Sequence, residues 1–144
     1  MSPARQQRPV AIDTNVFGAK LLPRTAALAA AYEPFLTGRP AFISFVTVAE
    51  LRYGARRAGL GRGPPADPGR PHRDAEIVWP GPELTSTYVN LRAQCASRGH
   101  GLSQRVHEAD RWVAATALWL GAPLVTHDRV FHDVPGLELL TTLE

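Results

Sequence analysis

The sequence predicts an α/β domain of three layers, α/β/α, with a small, mainly parallel sheet at its centre. Two observations carry this. Short apolar runs alternate with longer stretches whose apolar residues recur at helical spacing, the pattern of strands joined by crossover helices. Two of the runs also pass directly into Asp-Thr or Thr-His-Asp, as buried parallel strands do when they deliver polar side chains at their carboxyl ends. At 144 residues there is room for one such core and not for two. A single domain over residues 9–144 is therefore expected, preceded by a flexible arm at residues 1–8.

Pro9-Val-Ala-Ile-Asp13 is the first strand candidate, and it places Asp13 at the rim of the sheet. From Phe17 to about Leu36, Leu21, Leu22, Leu28, Ala31, Tyr32 and Phe35 recur at roughly helical spacing, and Pro23 breaks the segment. Ala41-Phe-Ile-Ser44 is the second strand, and Ser44 can cap a helix that carries Glu50 in its second turn. Arg52, Arg56 and Arg57 follow on that helix with their charges clustered along one side, a pattern that is usually no more than a solvated face. Gly59 to Asp74 is dense in Gly and Pro, has no periodicity and predicts a loop inside the domain. Ile77-Val-Trp79 precedes a Pro-Gly-Pro turn and a helix with the stripe Leu84, Tyr88, Leu91, Cys95, ending near Gly99. His100 to His107 is a connector. Ala109 to Leu120 is a small-residue helix that can pack closely on a sheet; Asp110 opens it, where the helix dipole favours an anion. Gly121 stops that helix, Pro123-Leu-Val-Thr126 adds a strand, and Leu137-Glu-Leu-Leu-Thr141 a last short one.

Composition narrows the class. Hydrophobic residues make up 44% and charged residues 20%, as in ordinary soluble domains, and no apolar run is long enough to span a bilayer. The polar N-terminal arm lacks the apolar stretch of a secretory signal, so the cytoplasm is the expected compartment. Cys95 is the only cysteine; it excludes an internal disulfide or a thiolate zinc cluster and reads as a small apolar filler. The formal net charge is +3, and of 16 basic residues only Lys20 is not arginine. Guanidinium suits phosphate and carboxylate partners, although a GC-rich genome produces the same bias.

Four carboxylates stand out by position: Asp13, Glu50 in Thr47-Val-Ala-Glu-Leu51, Asp110, and Asp128 in Leu124-Val-Thr-His-Asp128. Any one alone is commonly a cap. Four of them converging at one end of a sheet would repel strongly unless a cation sat between them. An oxygen-rich donor set favours magnesium or manganese over zinc, and such ions typically activate a water to attack a phosphodiester. The five histidines lack the two-turn spacing of a zinc helix, although His127 beside Asp128 competes for that role. Thr14, Asn15 and Thr126 are candidates to orient the ligating carboxylates, with turn and cap chemistry as the competing reading. Glu108 reads as a solvated acid of the first turn, and Trp112 and Trp119 as core or interface. The pattern points to a metal-dependent nuclease. Two rivals stand beside it: a phosphoacceptor signalling domain, which needs a lysine at a late strand end, and an interaction module that keeps the fold without turnover.

With Asp13-Thr-Asn15, Thr47-Val-Ala-Glu-Leu51 followed by Gly54, Asp110-Arg-Trp-Val-Ala-Ala-Thr-Ala117 and Leu124-Val-Thr-His-Asp128, the chain resembles PIN-domain ribonucleases of the VapC toxin type over most of residues 9–141. The resemblance implies a magnesium site held by Asp13, Glu50, Asp110 and Asp128. It also implies cleavage of structured RNA of the tRNA or ribosomal class, a homodimer, and a cognate antitoxin whose tail occupies the acidic groove. Between Gly59 and Asp74 the chain departs from the family, which usually has a helix there; a loop insertion or a stretch of altered reading frame produces such a segment.

Overall fold

The computed structural model describes residues 8–59 and 75–144. The predicted loop from Gly59 to Asp74 and the N-terminal arm lie, apart from Gly59 and Arg8, outside the described residues. Five strands, β1 (Val10–Ile12), β2 (Ala41–Ser44), β3 (Glu76–Val78), β4 (Leu124–Val125) and β5 (Leu139–Leu140), form one sheet in the order β3-β2-β1-β4-β5. Every pairing is parallel. Among the described residues, five α-helices accompany them: α1 (Thr14–Phe17), α2 (Ala26–Leu36), α3 (Phe45–Arg57), α4 (Pro82–Arg98) and α5 (Glu108–Leu120). Parallel pairing requires crossovers, and these helices supply them on both faces.

The centre of the sheet is apolar on both sides because β1 alternates between two cores. Ala11 packs with Leu84, Tyr88, Leu91, Cys95, Val113 and Ala114 beneath α4 and α5. Val10 and Ile12 pack on the other face with Val16, Phe17, Tyr32, Ile43 and Val48. All three β1 residues are buried, which is why the strand reads as a continuous apolar run. The run of alanines in α5 works as expected: Ala114, Ala115 and Ala117 are fully buried and let the helix backbone come close to the sheet. Cys95 fills the same core with no exposed surface.

Boundaries moved by a residue or two. β3 is Glu76–Val78, leaving Trp79 exposed beyond its end, and α5 begins at Glu108, so Asp110 lies in its first turn without opening it. The broken segment after β1 is α1, two 3-10 turns at Gly18–Leu21 and Pro23–Thr25, and α2. Gly99 and Gly121 stop α4 and α5 in the left-handed region, at φ of 64° each. Among the described residues, no helix is long and apolar enough to cross a membrane.

β1 is the strand from which the order departs in both directions, to β2 and β3 on one side and to β4 and β5 on the other. In open parallel sheets the crevice beyond the carboxyl end of such a strand is where ligands bind. Asp13 is the residue that follows β1.

Candidate metal centre

Asp13 is held on every side. Its backbone N–H donates to the Val125 carbonyl at 2.9 Å, which ties the end of β1 to β4. Its side chain caps α1: Oδ1 accepts from the Thr14 N–H at 2.8 Å and Oδ2 from the Thr126 hydroxyl at 2.8 Å. Only 4% of the residue is exposed. Desolvation by burial pushes its pKa from 3.8 to about 7, against the two hydrogen bonds and with a smaller push from the charges of Asp110 and Asp128. No cation among the described residues offsets that burial.

Glu50 comes to the same rim from α3, whose start is fixed by Ser44 Oγ accepting from the Val46 N–H at 3.2 Å. The Thr14 hydroxyl donates to Glu50 Oε1 at 2.9 Å and lies 2.9 Å from the Thr47 hydroxyl, which is fully buried. The residue as a whole is exposed, yet its carboxyl is drawn into the groove far enough for desolvation, then Asp110, to raise its pKa against the Thr14 bond. Asp110 projects from the first turn of α5, where Oδ2 lies 2.7 Å from His107 Nδ1. Asp128 follows β4; its Oδ1 caps the turn at Arg129–Phe131 through Val130 N–H at 2.9 Å, and its own N–H donates to Thr126 Oγ1 at 3.2 Å.

The four predicted carboxylates thus occupy one end of the sheet and feel one another's charge. Among the described residues, however, no three acidic, imidazole or thiol side chains are drawn into a ready-made chelate. Each carboxylate is instead engaged by its own hydrogen-bond partner: Asp13 by Thr14 and Thr126, Glu50 by Thr14, Asp110 by His107 and Asp128 by Val130. The donor chemistry nevertheless suits a hard divalent ion: the predicted ligands are carboxylates, one of them desolvated enough to hold its proton near neutrality. Asp13 is fixed, whereas Glu50, Asp110 and Asp128 are the more accessible arms that could turn toward a cation.

Of the three residues expected to orient the carboxylates, Thr14 and Thr126 do so. Asn15 does not: it is exposed and bonds to no carboxylate among the described residues, because the next position on α1 turns away from Thr14 to solvent. Sequence reasoning missed Thr47 and His107. Both carried a signal, since Thr47 precedes Glu50, and His107 precedes Asp110, by one helical turn. Glu108 is half exposed but is not merely solvated; it accepts from Tyr88 Oη at 2.8 Å and from the buried Arg111 at 2.5 Å. His127 Nδ1 bonds to the buried Tyr32 hydroxyl at 2.7 Å. Trp112 stacks on Tyr88 with ring centroids 4.0 Å apart, as a core residue does, whereas Trp119 is exposed and lines a surface pocket with Trp79.

Beside Glu50 lies an open groove of about 680 Å³ lined by Leu21, Leu22, Leu51, Gly54 and Ala55. It is mostly apolar and continuous with the acidic rim through Glu50.

A family model described as PIN domain matches residues 10–137. Among solved structures, VapBC2 from Rickettsia felis bound to a promoter DNA fragment is 20% identical with a TM-score of 0.67, covering 92% of this chain and 98% of that one. DNA-bound VapBC from Salmonella typhimurium is 23% identical, TM-score 0.65, covering 94% and 98%. FitAcB from Neisseria gonorrhoeae is 20% identical, TM-score 0.65, covering 91% and 96%. At these identities the likeness to the solved structures is one of fold. No curated protein matches the chain.

Proposed function

Because the chain belongs to the PIN-domain family, whose members are generally nucleases that use divalent metal ions, we propose that it is a magnesium-dependent endoribonuclease and the toxin half of a toxin–antitoxin pair. The observation that carries this reading is Asp13, a carboxylate buried at the end of the central strand without a counter-charge among the described residues, with Asp110 and Asp128 within electrostatic reach of it and Glu50 within reach of Asp110. Asp13, Glu50, Asp110 and Asp128 would hold the ion, magnesium or manganese. Such an ion, when bound, supplies Lewis-acid activation of water and neutralises charge that builds on a phosphate.

The chain's own residues do the rest. Thr14 and Thr126 fix two carboxylates by hydroxyl donation, so that the ligand arms are oriented before substrate arrives. Burial of Asp13 keeps water from screening the site. His107 holds Asp110 from the outer side. Arginines outside the pocket hold the RNA backbone, and tRNA or ribosomal RNA is the proposed substrate class.

The partner reading rests on the apolar groove that runs from Glu50, together with the fold shared with VapBC and FitAB complexes. A cognate antitoxin tail with apolar side chains would fill the groove and cover Glu50. We propose a homodimer and a cytoplasmic location on the resemblance alone. Lys20, the lysine a phosphoacceptor domain would require late in the sheet, follows the first strand instead, which disfavours that rival.

The test is RNA cleavage by the parent and by Asp13→Asn in magnesium and in chelator. The substitution keeps side-chain shape and removes a charged ligand. Cleavage should fall by at least about 10²-fold in the variant and vanish with chelator, with unchanged circular dichroism. A variant as fast as the parent would remove Asp13 from the mechanism.

A further inference from the structure

Carboxylates repel a phosphate, so an RNA chain reaching the acidic centre gains from neighbouring surface that holds its bases and backbone, and α3 carries a surface of that kind. Tyr53 and Arg57 follow Glu50 at the third and seventh positions along the helix. At about 3.6 residues per turn they lie on the side of Glu50 away from Leu51, Gly54 and Ala55, which line the apolar groove. Glu50 therefore stands between two different surfaces, the apolar groove and a ridge of Tyr53 and Arg57.

Tyr53 is 64% exposed, and its hydroxyl makes no hydrogen bond to a described residue. The Arg57 guanidinium lies 5.8 Å from its ring centroid. Arg52 and Arg56 extend the positive charge on the far side of the ridge. None of the three guanidiniums forms an ion pair with a carboxylate among the described residues. An exposed aromatic ring with a guanidinium over it matches the two parts of a nucleotide that any sequence presents, a base to stack and a phosphate to neutralise. A protein partner that covered this ridge would have to bring acidic side chains for three guanidiniums, whereas the groove on the other side of Glu50 is mostly apolar, with Arg24 alone as a cation in its lining.

We propose that Tyr53 and Arg57 form a nucleotide-binding subsite for single-stranded RNA leading away from the acidic centre, with a base stacked on Tyr53 and its phosphate held by Arg57. This rests on the ribonuclease reading. It assigns the exposed face of α3 to the substrate and the groove face to the partner.

The experiment measures anisotropy of a short fluorescein-labelled single-stranded RNA in magnesium, in the Asp13→Asn background so that binding is read without cleavage. Tyr53→Ala should raise Kd about tenfold or more, and Tyr53→Phe should restore it, because stacking needs the ring and not the hydroxyl. Arg57→Gln should lower the slope of log K against log salt by about 0.7, the loss of one phosphate contact to a single strand. Arg98→Gln, at the end of α4, serves as the charge control and should change neither. If the Asp13→Asn chain binds RNA and neither Tyr53→Ala nor Arg57→Gln alters that binding, the subsite is wrong and the ribonuclease reading stands. Both fall if that chain binds no RNA and the parent cleaves none. If the two variants lose affinity for a cognate antitoxin while keeping RNA affinity, the ridge is a protein surface and the inference is wrong.

Discussion

Asp110 and Arg111 are neighbours on α5, yet they belong to two opposite solutions for a charge inside a protein. Arg111 is 1% exposed and richly partnered: it donates to the Leu102 carbonyl at 2.9 Å, the Gln104 carbonyl at 2.7 Å, Tyr88 Oη at 3.3 Å and Glu108 Oε2. Asp110 faces the other way, where its charge adds to the burial that raises the pKa of Asp13 and of Glu50. A buried charge that is paired with a carboxylate and bonded to carbonyls is architecture. Asp13, on which Asp110 acts, is buried with no counter-ion among the described residues, and a carboxyl kept in that state marks a candidate functional site.

If that contrast is right, the two regions respond oppositely to neutralisation. Arg111→Met should be the most damaging change, because two carbonyls and the Glu108 carboxylate lose their donor while the 101–107 segment loses its anchor. A destabilisation of about 3 kcal/mol is expected, lowering Tm by roughly 10 °C, read by thermal or urea unfolding. A loss under about 1 kcal/mol would mean that the network is ornamental. Thr126→Val is a smaller test on the acidic side. It removes a donor to Asp13 and an acceptor for the Asp128 N–H, so cleavage should fall about tenfold while stability changes by only about 1 kcal/mol. Equal stability with full activity would show that Thr126 is simply a strand residue.

The acidic side was legible in the sequence because its signals are local. An apolar run followed by Asp-Thr marks the end of a strand, and Ser44 before a helical stripe places Glu50 in the second turn; both readings hold, with β2 and the Ser44 cap as expected. The Arg111 network was not legible. Only Glu108, one turn earlier, is local; its other partners lie 7, 9 and 23 residues away, and an arginine in the first turns of an alanine-rich helix reads as solvent-facing until α4 and the 101–107 segment are folded around it. The hydroxyl pair of Thr14 and Thr47 spans 33 residues, and the bond from Tyr32 to His127 spans 95. No periodicity links such positions. Asn15 shows the converse error: polarity near a key acid suggests contact, but one residue of helix turns the side chain away.

The most direct test of the acidic centre is stability against pH with and without metal. Folded Asp13 keeps its proton up to about pH 7, whereas the unfolded side chain releases it near 3.8. Between those values the folded state binds the extra proton, so without metal the stability of the parent should fall as pH rises from 5 to 8, by an amount on the order of a few kcal/mol. Millimolar manganese or magnesium competes with that proton. It should raise Tm most at the alkaline end and flatten the slope, and Asp13→Asn should show neither the metal-free slope nor the metal response. A parent whose Tm is unmoved by metal at pH 8, or a variant that gains as much as the parent, would contradict the claim that these carboxylates form a cation site.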